Sequence, residues 1–145
     1  MTVRMDTRVK TPLAGLRQQF DLAQRIVAAW RKDSLALAEV RAMRARLDTI
    51  KEQAGAGPQA ASIAALDAKL AALAGTGGGR SGGGGGRGRA GARATLASLN
   101  GQLGGLYGVV EGTDAAPTNH AVRAVGEAER ELAGLILIWD GLKRR

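Results

Sequence analysis

The sequence predicts an all-α protein, an antiparallel bundle of about four helices with coiled-coil-like packing. Three observations lead there. Apolar residues recur at alternating spacings of three and four along four separate segments. Proline, glycine and short polar residues punctuate the chain between those segments. Nothing after residue 10 carries a strong strand signal.

Residues 1–10 are the exception. Val3, Met5, Thr7 and Val9 alternate with Thr2, Arg4, Asp6 and Arg8, which reads as one short strand, and a lone strand cannot satisfy its own backbone. Its partners are expected on another segment, on another chain or in a preceding β domain of which residues 1–10 are the remnant, the last being what the resemblance described below implies, with residues 11–145 forming the bundle. Thr11-Pro12 opens the first helix, threonine as cap and proline at the first helical position. That helix is expected over 13–53, on a seam of Leu13, Leu16, Phe20, Ala23, Val27 and Trp30 that resumes at Leu37, Val40, Leu47 and Ile50. The polar triplet Lys32-Asp33-Ser34 interrupts the seam and marks a place for a kink.

Gly55-Ala56-Gly57-Pro58 stops the first helix and starts a second, expected over 59–74 on Ile63, Leu66, Leu70 and Leu73. A third, expected over 92–111, carries Leu96, Leu99, Leu103, Leu106 and Val110. Gly101, Gly104, Gly105 and Gly108 each cost it roughly 1 kcal/mol against alanine, and the expected return is close approach by another helix. Asp114 to Thr118 is a turn and cap, followed by a fourth helix over 118–144 with Val122, Val125, Leu132 and Trp139 on its apolar side. The expected core is therefore Leu16, Phe20, Val27, Trp30, Leu47, Leu66, Leu70, Leu99, Leu103, Leu106, Leu132 and Trp139, and the expected caps are Thr11, Pro12, Asp114 and Thr118. Hydrophobic residues make up 45% of the chain but aromatic ones only 3%, so this core is shallow and its stability modest.

Between the second and third helices lies GTGGGRSGGGGGRGRAGAR, residues 75–93, in which eleven of 19 residues are glycine. Such a segment cannot bury enough surface to offset its ordering, and a disordered Gly/Arg tether is expected over 75–91. Of 21 Lys and Arg residues four fall in the stretch 75–93 with no acid, leaving 17 against 13 Asp and Glu elsewhere, so half of the net charge of +8 lies where no aromatic side chain is present to stack on bases and the rest of the chain is nearly mixed. Nucleic acid is not the expected partner, although a nucleic-acid binder using this tether is one alternative reading. An amphipathic bundle that binds a partner helix or lipid is another. No apolar run reaches the length of a membrane span, and a membrane is not expected as partner.

Catalytic chemistry has one candidate, Asp114 with Asn119 and His120, a carboxylate near an imidazole at a helix start. Capping explains the same residue types more simply. The chain has no cysteine and one histidine, so neither a metal nor any other cofactor is expected. Glu127, Glu129 and Glu131 read as a solvated face with Arg123 and Arg130 in ion-pair reach, and Arg41, Arg44 and Arg46 are interleaved with Glu39, Asp48 and Glu52. The chain is expected not to be an enzyme.

Three stretches together carry a resemblance: Val3-Arg4-Met5-Asp6-Thr7-Arg8-Val9-Lys10-Thr11-Pro12, then Leu99-Asn100-Gly101-Gln102-Leu103 through Leu106-Tyr107-Gly108-Val109-Val110, and Asp114-Ala115-Ala116-Pro117-Thr118. The chain resembles the C-terminal helical region of bacterial sialidase-like and sortilin-like β-propeller proteins, the glycosyl hydrolases with neuraminidase-type repeats. The family usually has proline where this chain has Thr7, and its members tend to run on beyond the last helix. The resemblance implies a non-catalytic accessory module whose partner, in cis or in trans, is the β-propeller or another β domain of a parent protein, periplasmic or extracellular in that family. The propeller signature Ser-x-Asp-x-Gly-x-x-Trp is absent from the sequence, so the resemblance brings no catalytic residue with it.

Overall fold

The computed structural model describes residues 11–54, 57–75, 94–112 and 115–144. It is an all-α bundle of four helices, α1 (Leu13–Ala54), α2 (Ala60–Ala74), α3 (Leu96–Glu111) and α4 (Asn119–Lys143). The strand-like residues 1–10, the tether beyond Gly75 and the expected cap Asp114 lie outside the described residues.

Local chemistry sets the helix ends. The Pro12 carbonyl accepts from the Gly15 and Leu16 amides, so Pro12 stands at the cap position and α1 begins at Leu13, one residue later than the expected start with Thr11 as cap and Pro12 as first helical residue. Thr118 caps α4 by accepting from the Ala121 amide at 3.2 Å. The start of α3 is later than the expected residue 92 because Thr95 builds a capping box: its hydroxyl accepts from the Ser98 amide while the Ser98 hydroxyl accepts from the Thr95 amide.

Helix α1 runs unbroken through Lys32-Asp33-Ser34, about 63 Å at 1.5 Å per residue. Its buried stripe is Leu22, Ile26, Ala29, Asp33, Ala36, Val40 and Leu47. This corrects the seam expected for the first half of the helix. Phe20 is 61% exposed and Leu13 55%, Leu16 and Val27 are half-buried, and Trp30 packs at the margin of the core. The spacing 3, 4, 3, 4 is equally present in both stripes, and the stripe rich in alanine is the one that lets neighbouring helices come close. Leu47, Leu70, Leu99, Leu103, Leu132 and Trp139 are buried, and Leu66 and Leu106 are half-buried against them.

Side-chain links between helices give the topology. Asp67 of α2 meets Arg44 at 2.9 Å and Lys51 at 2.8 Å in the second half of α1. In the first half, the Gln19 amide donates to the Val110 carbonyl of α3 at 2.7 Å, and Asn100 of α3 reaches Asp33. Helices α2 and α3 thus run antiparallel to α1, one after the other. Their junction is tight: Gly75 closes α2 at φ +76, its amide bonded to the Ala71 carbonyl, and a Cβ added there would collide with the Thr95 side chain. Helix α4 runs parallel to α1, tied by Arg25 to Glu129 at 2.6 Å and by Trp139 Nε1 donating to Glu39 at 2.8 Å.

The α3 glycines do not all serve close packing. A Cβ on Gly104 would lie 3.3 Å from the Trp30 ring, whereas Gly101, Gly105 and Gly108 would meet nothing within 4 Å. Among the described residues only Gly104 of these four meets a neighbour, and it lets Trp30 sit against α3 with its ring centroid 6.3 Å from that of Tyr107.

Two stability outcomes follow. Trp139, 3% exposed, should cost roughly 3–5 kcal/mol when cut to alanine, while Phe20→Ala should stay within about 0.5 kcal/mol of the parent, as surface changes do; urea midpoints of the two variants, read by far-UV circular dichroism, compare them directly. Because Gly75 and Thr95 already touch, halving the segment 76–93 should leave the helices intact and raise stability by only about 0.6 kcal/mol through loop closure. A loss of more than that in the same urea measurement would show that the segment packs on the bundle.

Candidate functional site

Polar chemistry inside the bundle concentrates at one point, Asp33. Its position in the buried stripe, four residues after Ala29 and three before Ala36, turns the carboxylate inward against α3. The residue is 0% exposed. Its Oδ2 accepts from the Asn100 side-chain amide at 2.8 Å, and the same amide nitrogen donates to the Ser34 hydroxyl at 2.8 Å. Asp33 Oδ1 is buried without a protein hydrogen-bond partner. A carboxylate in that position costs more than a neutral group of the same size. Burial pushes the Asp33 carboxyl above the ordinary carboxylate range, and the Asn100 hydrogen bond offsets part of the shift.

The other carboxylates between helices sit in the opposite environment. Asp67 is held below the usual range by its hydrogen bonds to Lys51 and Arg44. Glu39 is lowered in the same sense by the Trp139 indole N–H and then by Lys143, whose ammonium lies 3.4 Å from the carboxylate and 5.1 Å from the Trp139 ring centroid. Glu129 does not join a solvated acidic face: Arg25 of α1 donates to it through Nε at 3.1 Å and Nη2 at 2.6 Å. Arg130 donates to the Gly126 carbonyl of its own helix instead of pairing with a glutamate.

Of the sequence-based catalytic trio the structure describes two members. Asn119 and His120 are exposed at the first turn of α4, and Asp114 lies outside the description. Asn119 lines an open groove of about 320 Å³ between α1 and α4, with Asp21 and Arg25 on the opposite wall. Among the described residues no three His, Cys, Asp or Glu side chains are placed to hold a metal ion, and no helix is long and apolar enough to cross a membrane. No family model, curated protein or solved structure matches the chain.

What the arrangement offers is surface. Leu13 and Phe20 stand exposed at the start of α1, Val109 at the end of α3 and Val122 at the start of α4. The links from Gln19 to Val110 and from Arg25 to Glu129 bring these three helix ends together at one end of the bundle. Sequence reasoning assigned Leu13, Phe20 and Val122 to apolar stripes and so missed them as surface. It missed Asp33 as well, although a lone acid on the Ile26–Ala29–Ala36–Val40 stripe is visible once that stripe is preferred.

The pH dependence tests Asp33. Between the ordinary carboxylate value and its raised one, the folded chain holds a proton that the unfolded chain has lost, so its contribution falls as pH rises through that window and is constant above it. Asp33→Asn removes this descent and should raise the urea midpoint near neutral pH while leaving the midpoint at about pH 4 little changed. A lower midpoint near neutrality would show that the ionised carboxylate stabilises the fold.

Proposed function

We propose that this chain is a non-catalytic helical accessory module that packs against a β domain, in the manner of the C-terminal helical region of sialidase-like and sortilin-like β-propeller proteins. The observation that carries the reading is the exposed pair Leu13 and Phe20, which lies on the helix directly after the strand-like residues 1–10. Large apolar side chains grouped at one end of a bundle mark an interaction site, and an incoming β domain would arrive at that end. The polar side chains add support, because Asp33, Glu39, Asp67 and Glu129 are each bonded to a residue of another helix. They hold helices together and are not left converging on a substrate.

The test starts from the coding sequence. The expected outcome is a β-propeller reading frame upstream of Met1, in frame or adjacent, whose product binds the bundle, with Phe20→Asp weakening that binding by about tenfold or more, the effect of losing one apolar anchor. Circular dichroism of Phe20→Asp controls for folding, since the residue is exposed. Binding unchanged in that variant, or turnover of aryl sialosides by the purified chain, overturns the proposal.

A further inference from the structure

Helices α1 and α4 run side by side in the same direction, and the line between them is open. Three cavities of about 320, 300 and 230 Å³ follow one another along it, lined from α1 by residues between Gln18 and Arg46 and from the α4 side by residues between Pro117 and Lys143. Arg25 lines the first two, and its pair with Glu129 spans the groove there. From Gln18 to Arg46 is about 42 Å of helix. The walls are low because alanines build them: Ala28, Ala42 and Ala133 line the groove and are exposed. Leu35 lies two helical turns from Ala28 and two from Ala42, hence on the same line of α1, and it is 61% exposed.

Beyond the first cavity the charge on this groove has one sign once its ion pairs are set aside. Glu129 is taken by Arg25, and Glu39 by Lys143 and the Trp139 indole. Lys32 in the second cavity and Arg46 in the third are exposed and make no ion pair with a described residue. Arg31, on the opposite flank of Leu35, is exposed and unpaired in the same way. Among the described residues lining these cavities Asp21, at the first, is the one acid without an ion pair.

We infer that the groove between α1 and α4 takes an amphipathic helix of a partner protein, one whose apolar stripe seats on Ala28, Leu35 and Ala42 and is flanked by Asp or Glu. The alanines let a helix lie close to α1 and α4 together. The cations choose the sign, and because they stand on both sides of the apolar line, a stripe with acids on both flanks meets them in either chain direction. They also decide against a second copy seated two-fold by the same groove, which would set one cationic groove on another. An anionic lipid surface is flat and would meet the helix ridges, not the cavities between them. The contact lies along the bundle and not at the end that carries Leu13 and Phe20, so it stands apart from the β-domain reading.

The probe is a synthetic helical peptide of about 28 residues, the length of the groove, with Leu and Ala at every third and fourth position and Glu on both flanks; its control has Lys in place of each Glu. Calorimetric titration of the full chain should give the Glu peptide a Kd of roughly 10 to 100 μM, at least about tenfold tighter than the Lys peptide and weakening as salt rises. Leu35→Gln should lower that affinity about tenfold, as loss of a central apolar anchor does. Lys32→Glu combined with Arg46→Glu should turn the preference toward the Lys peptide. Circular dichroism of both variants should match the parent, since all three residues are exposed. Equal binding of the two peptides overturns the inference, as does no binding at about 1 mM, a Glu peptide indifferent to Leu35→Gln, or a preference that survives the double reversal. Self-association of the chain, or its binding to phosphatidylglycerol vesicles, that Leu35→Gln abolishes while the Glu peptide fails to bind also overturns it and assigns the groove to a second copy or to lipid.

Discussion

A helix of 42 residues must bury one stripe along its whole length or expose it to water, and among the described residues no other helix is long enough to cover it. The solution is two shorter helices in succession. Helix α3 covers the first half of α1 and α2 the second, and the 25-residue α4 lies alongside, running the same way as α1. Everything else is arranged around the joint between α2 and α3. Gly75 supplies the positive φ that ends α2 without a side chain, and the Thr95–Ser98 capping box satisfies the exposed amides that α3 begins with. Alanines at 23, 29, 36, 74, 121 and 128 in the core let the backbones approach, so packing between small side chains substitutes for the large aromatic groups that the chain lacks.

Asp67 on α2 and Asp33 on α1 act in opposite directions with pH. Asp67 is stabilised in its charged form by Lys51 and Arg44, so its contribution is present above the ordinary carboxylate value and lost as pH falls through the lowered one. Asp33 is destabilised in its charged form by burial. The grip of α2 on α1 therefore weakens in acid while the α1–α3 contact at Asp33 is strengthened. Asp33 meets α3 through Asn100, whose side-chain amide donates to its Oδ2 at 2.8 Å.

Most of the architecture was legible in the sequence because punctuation is local chemistry. Pro12, Pro58, Gly75 and Thr118 lie at or within two residues of helix ends, where caps and φ preferences act locally. The rotation of α1 was not legible. With apolar residues on two stripes, the larger side chains of Leu13, Phe20 and Val27 point to one face and tertiary packing selected the other, where small residues allow contact with two helices at once. The α3 glycines failed as a packing signal for a related reason: one of four meets a neighbour, Trp30, and the sequence holds no mark that distinguishes Gly104 from Gly105. Ion pairing was misread wherever partners were sought on the same helix, since Arg25–Glu129 and Arg44–Asp67 join residues on different helices.

The joint between α2 and α3 also changes how the Gly/Arg segment is to be understood. A tether is normally matched in length to the gap it spans. Here the gap is a van der Waals contact, Gly75 against Thr95, which a connection of two to eight residues would close in an ordinary helix pair. Closure entropy varies only with the logarithm of length, so the bundle places almost no thermodynamic limit on what is inserted there. Composition is limited more strongly. A segment attached beside the Leu70–Leu73–Leu96–Leu99 core must not compete for it, and a stretch with eleven glycines and four arginines has neither the apolar side chains to invade nor the propensity to extend α2 or α3 through the joint.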